Sequence, residues 1–174
     1  MKLIARPHEA ANLSAILREG KEPSLKRRRA VVSLSALSMG CMALITLYQT
    51  GVISHLPEPP LPKMDADKVD ASGDAYAVLH TPDAALGAVS YAVTLMLATM
   101  DGPNRATEVP LIPLALAAKA TADAVMAAKL TVDQVKRQKA FCFWCLMSAA
   151  ASFAILPLVF PEARAAWKTL RNGG

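Results

Sequence analysis

Phe141-Cys142-Phe143-Trp144-Cys145 is the stretch whose residue types and spacing point to chemistry. Two cysteines two residues apart, on the first turn of a helix, are close enough to form a disulfide. A helix N-terminus carries partial positive charge and favours a thiolate there. An acidic thiol in such a pair is the attacking group of thiol–disulfide exchange. Phe141, Phe143 and Trp144 add a flat apolar surface that suits a quinone as well as lipid. Two plainer readings stand beside this one: a zinc half-site, or two cysteines that only pack. Zinc calls for two more ligands. The chain offers one other cysteine, Cys41, and three scattered histidines, so no metal site is expected.

The elements that must hold this pair read as membrane spans. The 174 residues suffice for one domain, and 53% are hydrophobic. Mean hydropathy is +0.30 although 19% of residues are charged. The charge lies mostly in tails and loops, as in membrane proteins. The net charge of +5 sits beside apolar runs and reads as topology rather than nucleic-acid binding. No aromatics interleave with the basic run, so no nucleic-acid partner is expected. Three cysteines do not make a disulfide framework. No cleavable signal is expected, and the first span should act as its own insertion signal.

Residues 1–29 form a basic tail, with a short amphipathic helix over Glu9–Arg18 that Pro23 and Ser24 should break. Lys26-Arg27-Arg28-Arg29 then precedes span one, Ala30–Ile53, close to the roughly 20 residues a bilayer needs. Cys41 falls in mid-span, as a small buried residue too deep to meet the other pair. Gly40 and Gly51 are expected to allow close helix approach. Residues 54–83 form an acidic, proline-rich loop, long enough to suggest a cap with a short helix over Val69–Leu79. Asp65-Ala66-Asp67-Lys68-Val69-Asp70 is as acidic as a calcium loop but lacks that motif's glycine and distal glutamate. Thr81 as N-cap and Pro82 at the first position should start span two, Ala84–Met100, with Gly87, Ser90 and Tyr91 on its packing face. A turn at Asp101-Gly102-Pro103-Asn104 leads to span three, Val109–Leu130.

Lys119 and Asp123 lie one turn apart in span three, each costing about 2.5 to 3.5 kcal/mol in a membrane. They should face the interior and pair, either as a proton relay or quinone contact or as a neutralised structural pair. A polar connector, Thr131–Lys139, puts Lys136 and Arg137 just before the cysteines, where positive charge would favour a thiolate. Span four, Ala140–Phe160, should end at Pro161, leaving 161–174 as an amphipathic tail anchored by Trp167. Twelve of the 19 lysines and arginines lie in the two tails and the 101–108 turn. The positive-inside rule then places both termini in the cytoplasm, the protein in the cell inner membrane, and the cysteines at the outer face.

The basic entry to span one, Asp67-Lys68-Val69-Asp70-Ala71-Ser72, the Thr81–Gly87 entry with Tyr91, and Phe141–Cys145 together resemble the vitamin K epoxide reductase family, especially its bacterial members. The resemblance covers residues 30–160. It implies an all-α fold, an integral membrane four-helix bundle around a quinone of ubiquinone or menaquinone type. It implies that the Cys-x-x-Cys pair passes electrons to that quinone, and that a second cysteine pair in the outer loop relays them from a thiol-bearing partner protein. Here the loop cysteine is replaced by Ala66, and residues 54–83 hold no cysteine. The family's quinone-contacting asparagine falls at Asp83, and its tyrosine after the second cysteine falls at Ala149. The expected site is therefore Cys142 and Cys145, with Cys142 outward and Cys145 nearest the quinone. Asp83, Phe141, Phe143, Trp144 and Ala149 form its surroundings. The alternatives are a structural or assembly subunit of a membrane complex, or a quinone- or lipid-binding module without turnover.

Overall fold

A computed structural model describes residues 7–173; residues 1–6 of the basic tail and Gly174 lie outside the described residues. Helix α1 is Pro7–Glu19, slightly longer than the expected amphipathic segment. Pro23 does not merely break it but opens α2, Pro23–Gln49. A proline is tolerated at a first helical position, where no intrahelical N–H bond is lost. The Lys26–Arg29 cluster is therefore the first turn of the span itself, and Arg29 Nη2 reaches back to the Leu17 carbonyl at 2.7 Å.

Helix α2 ends in a paired-bond cap: Val52 N–H donates to the Leu47 carbonyl and Gly51 N–H to Tyr48. Gly51 has φ +77°, a conformation that favours glycine. Its role is thus to end the helix. Neither it nor Gly40 has any neighbour within 4 Å of a would-be Cβ, so neither is a point of close helix approach. Gly87 is such a point, because a Cβ there would lie 2.8 Å from Met42 Sδ.

The loop after α2 carries two short pieces in place of the single helix expected: α3, Ala66–Asp70, and a 3₁₀ turn, Gly73–Tyr76. Asp65 caps α3 by accepting from Lys68 N–H at 3.0 Å. Helix α4, Asp83–Thr99, follows with Pro82 rather than Thr81 at its N-cap. A single turn, α5 (Arg105–Glu108), leads to α6, Leu111–Asp133. The polar connector expected over Thr131–Lys139 is helical over most of its length: its first three residues end α6, and Gln134–Gln138 continue it as a π turn.

Helix α7, Phe143–Asn172, runs unbroken through Pro157 and Pro161. Pro161 does not end it, because Glu162, Ala163 and Ala166 remain buried beyond the proline. Packing of that lower face offsets the backbone bonds the prolines remove.

The described residues are all-α, with one isolated bridge between Met64 and Phe141. Helix α2 packs against α4 and α7, and α6 packs against α7. Three helices are long and apolar enough to cross a membrane: Pro23–Gln49, Leu111–Gln138 and Phe143–Asn172. Helix α4 is apolar but shorter, at 17 residues. One buried cluster surrounds Cys41, Ile45, Tyr91 and Cys142. A second, around Val31, Leu116, Ile155 and Val159, fills the other end. Lys119 Nζ and Asp123 pair at 2.6 Å, and both meet Ser90 and Thr94 of α4. They thus face a neighbouring helix, as the cost of an unpaired charge requires.

The C-terminus of α4 is held by two buried arginines. Arg28 donates to the carbonyls of Ala98, Met100, Asp101 and Gly102. Arg105, 0% exposed, donates to Leu97 and Met100 and forms a two-pronged pair with Glu162 at 2.8 and 2.7 Å. The last carbonyls of a helix have no intrahelical donor, and these side chains supply them. Arg28 was expected to set topology; its guanidinium also closes a helix. Arg105→Met would leave Glu162 buried and unpaired, so a loss of about 3–5 kcal/mol is expected. Thermal unfolding in detergent should show it, with part of the loss recovered when Glu162→Met is added.

Candidate active site

Cys142 occupies the N-cap of α7 with extended backbone, and its Sγ accepts the N–H of Cys145 at 3.2 Å. The Cys-x-x-Cys spacing produces this geometry: the third residue after an N-cap is the one whose amide points back at the cap side chain. Cys142 Sγ therefore receives both an N–H and the positive end of a 30-residue helix. Its own N–H is taken by Gln134 Oε1 at 3.1 Å, from the π turn. Both cysteines are thiols here.

The 54–83 loop closes over this helix start. Phe141 N–H donates to Lys63 O and accepts from Asp65 N–H at its carbonyl, at 2.9 and 3.0 Å. Trp144 Nε1 donates to Pro57 O at 2.7 Å. Glu58 accepts the N–H of Ala66, and Asp67 accepts the N–H of Leu56. The cap expected from loop length is thus built by hydrogen bonds to the cysteine segment itself. Ala66, at the position of the missing loop cysteine, is fully buried in the cluster that holds Cys142.

This cover reverses one expectation. Cys142 was to be the outward thiol, but it is 0% exposed, while Cys145 is partly exposed. An N-cap side chain folds back over its own helix start, and here the loop covers it. The basic connector also does not serve the thiols. Arg137 pairs with Asp74 at 3.1 Å, and Lys136 and Lys139 are exposed. Cys41 is buried as expected, but it belongs to the same core cluster as Cys142.

The surrounding residues divide. Phe143 and Trp144 pack edge to face, with ring centres 5.4 Å apart, and both are partly exposed beside Cys145. Phe141 is half-buried and belongs to the bridge with Met64. Asp83 accepts from Gln49 Nε2 at 2.8 Å rather than facing the sulfurs. Ala149, one turn beyond Cys145, is buried.

Asp70 is the residue the sequence reading missed. It is 3% exposed, and its Oδ1 accepts from Cys145 Sγ at 3.5 Å, while Oδ2 is buried with no partner among the described residues. Asp70 O, Cys142 Sγ and Cys145 Sγ lie within 4.8 Å of one another. They are three possible donors to a metal, one short of the four that structural zinc takes. Burial pushes the Asp70 carboxyl up to about 6, and the negative charges of Asp83 and Glu58 add to this. The two thiols act the other way. The signal available in sequence was spacing: Ala66, Val69 and Asp70 share one buried face of α3, so a carboxylate stands on an apolar stripe.

These features define a helical membrane protein with a thiol pair at the start of its last apolar helix. The model of the vitamin K epoxide reductase family matches residues 29–160, and the chain belongs to that family, one of membrane thiol–disulfide oxidoreductases. Comparison with curated proteins gives no match.

A buried carboxyl held at about 6 against an ordinary 3.8 weakens the fold once it is charged. Below 3.8 it is protonated folded and unfolded, and nothing is lost; the cost grows as pH rises from 3.8 and is complete above about 6. At about 1.4 kcal/mol per tenfold change in proton affinity, the cost is on the order of 3 kcal/mol. Asp70→Asn should therefore unfold at a higher temperature than the parent at about pH 8, with the gap shrinking toward about pH 4.

Proposed function

We propose that the chain is a membrane quinone-linked thiol/disulfide oxidoreductase whose working pair is Cys142 and Cys145. The observation that carries this is the sulfur at the helix N-cap: Cys142 Sγ takes the Cys145 amide at 3.2 Å, with its partner thiol one turn away. Family membership supports the reaction class. In the proposed topology α4 is a fourth span, both termini lie in the cytoplasm and the cysteines lie at the outer face of the inner membrane. The distribution of lysine and arginine supports that orientation.

A quinone would supply a lipid-soluble acceptor of two electrons and two protons. The residues present fit it as an open apolar face: partly exposed Phe143 and Trp144 flank partly exposed Cys145 on a helix long and apolar enough to cross a membrane. Cys145 is the sulfur open to exchange with an oxidant or with a partner's thiol. Cys142, buried at the N-cap, is the one placed to close the disulfide. Residues 54–83 lack cysteines, so a thiol-bearing partner must reach the pair directly.

That same gap favours a second reading, a family member serving as a structural or assembly subunit of a membrane complex. Redox titration in vesicles discriminates the two. The first reading expects the pair to cycle between dithiol and disulfide with added ubiquinone or menaquinone, and Cys142→Ser with Cys145→Ser to abolish turnover. A pair that never cycles, with the double variant leaving cell phenotype intact, would establish the second.

A further inference from the structure

We propose that Asp70 is the catalytic acid–base of the cysteine pair, taking the Cys145 thiol proton as the pair is oxidised and returning it when the disulfide is reduced. The proposal deepens the function above and rests on its cysteine pair; the step is written for a disulfide oxidant and does not rest on the quinone.

The geometry separates the two thiols. Cys142 Sγ accepts a backbone amide, and its thiol also faces the Asp70 carboxyl and lowers its pKa, as Cys145 does. Cys145 Sγ has no such donor; it points its hydrogen at Asp70 Oδ1, 3.5 Å away. A carboxylate kept for structure spends its oxygens on firm donors, as Asp65 and Asp67 do; Glu58 takes the Ala66 amide on Oε1, although its Oε2 is buried without a partner among the described residues. Asp67 takes the Leu56 amide on Oδ1, and His55 Nδ1 lies 2.8 Å from its Oδ2. Asp65 takes the Lys68 amide. Asp70 Oδ1 has a thiol, and Oδ2 has no partner although it is buried. Burying a carboxylate this way is costly, and a place for a transferred proton accounts for it.

No cation offsets its charge: Asp70 belongs to none of the five ion pairs among the described residues. Around it stand Cys142 and Cys145 from α7, Asp83 from α4, Glu58 from the loop and Tyr48 from α2. Asp67 and Lys68 share its own helix. Burial brings the carboxyl to about 6, nearer a thiol than an ordinary aspartate stands. A base closer in proton affinity to the group it deprotonates works at lower cost near neutral pH.

The Cys145 S–H proton passes to Asp70 Oδ1. The thiolate attacks a disulfide oxidant, forming a mixed disulfide and expelling one thiolate. Cys142, having released its proton to water, attacks the Cys145 sulfur; the Cys142–Cys145 bond forms and the second thiolate leaves. The pair loses two electrons and two protons, and the oxidant's S–S bond is reduced to two thiolates.

The test uses the full chain in detergent, with Cys41→Ala and with dithiodipyridine as oxidant, followed by release of its coloured thione. The oxidation rate of the reduced parent should rise with pH through an inflection near 6 and then level. Asp70→Asn should lose that inflection and react about 100-fold more slowly at neutral pH. Asp70→Glu should keep an inflection and part of the rate. An Asp70→Asn profile within a factor of about two of the parent, in protein shown to be folded by thermal unfolding, overturns the proposal. So does a parent profile with no inflection near 6, which needs no substitution at Asp70. The oxidant is not a quinone, so a failure of quinone turnover is distinguishable from a failure of Asp70.

Discussion

The closure of the 54–83 loop over the start of α7 is the constraint from which the site follows. Three backbone or indole donors fix it: Asp65 N–H to Phe141 O, Phe141 N–H to Lys63 O, and Trp144 Nε1 to Pro57 O. A net contribution of about 1 kcal/mol each would make the cover stable but able to open. Its registry decides which residues meet. With Met64 opposite Phe141, α3 lies across the helix start, and Asp70 comes down on the sulfurs. Shifting α3 by one residue would rotate Asp70 away from the thiols, since helix positions turn by about 100° per residue.

The two ends of the helix assembly do different work. At one end, two arginines, a glutamate and the α4 carbonyls satisfy one another in a dry network. Such a network is rigid because every charge has its partners. At the other end, a carboxylate and two thiols are left with weak or missing partners. Weak partnering leaves protons free to move and sulfurs free to change bonds. The firm end lets the reactive end remain under-satisfied without loss of the fold, a division in keeping with the trade-off between stability and activity.

The helices were legible in the sequence because long apolar runs and prolines act locally. Pro82 and Asp83 mark the start of α4 to within a residue, and Gly51 marks a helix end once its φ is known. The cysteine pair was legible for the same reason: its spacing alone sets the N-cap contact. Pro161 misled because a proline's local preference yields where a helix still has a face to bury, as Glu162 and Ala166 show. Arg137 misled because adjacency in sequence to the cysteines does not bring its guanidinium to them; Asp74, more than sixty residues earlier, holds it. Asp70 could not be placed beside Cys145 from periodicity, since 75 residues and the whole loop fold lie between them.

The account stands or falls on whether this thiol pair changes redox state in a living membrane. Acid quenching of intact cells, followed by alkylation and mass spectrometry of the Cys142–Cys145 peptide, reads that state directly. Cells with a working quinone pool should hold the pair largely as the disulfide, and quinone-depleted cells should accumulate the dithiol. A pair found reduced, or oxidised, to the same extent in both would contradict the account.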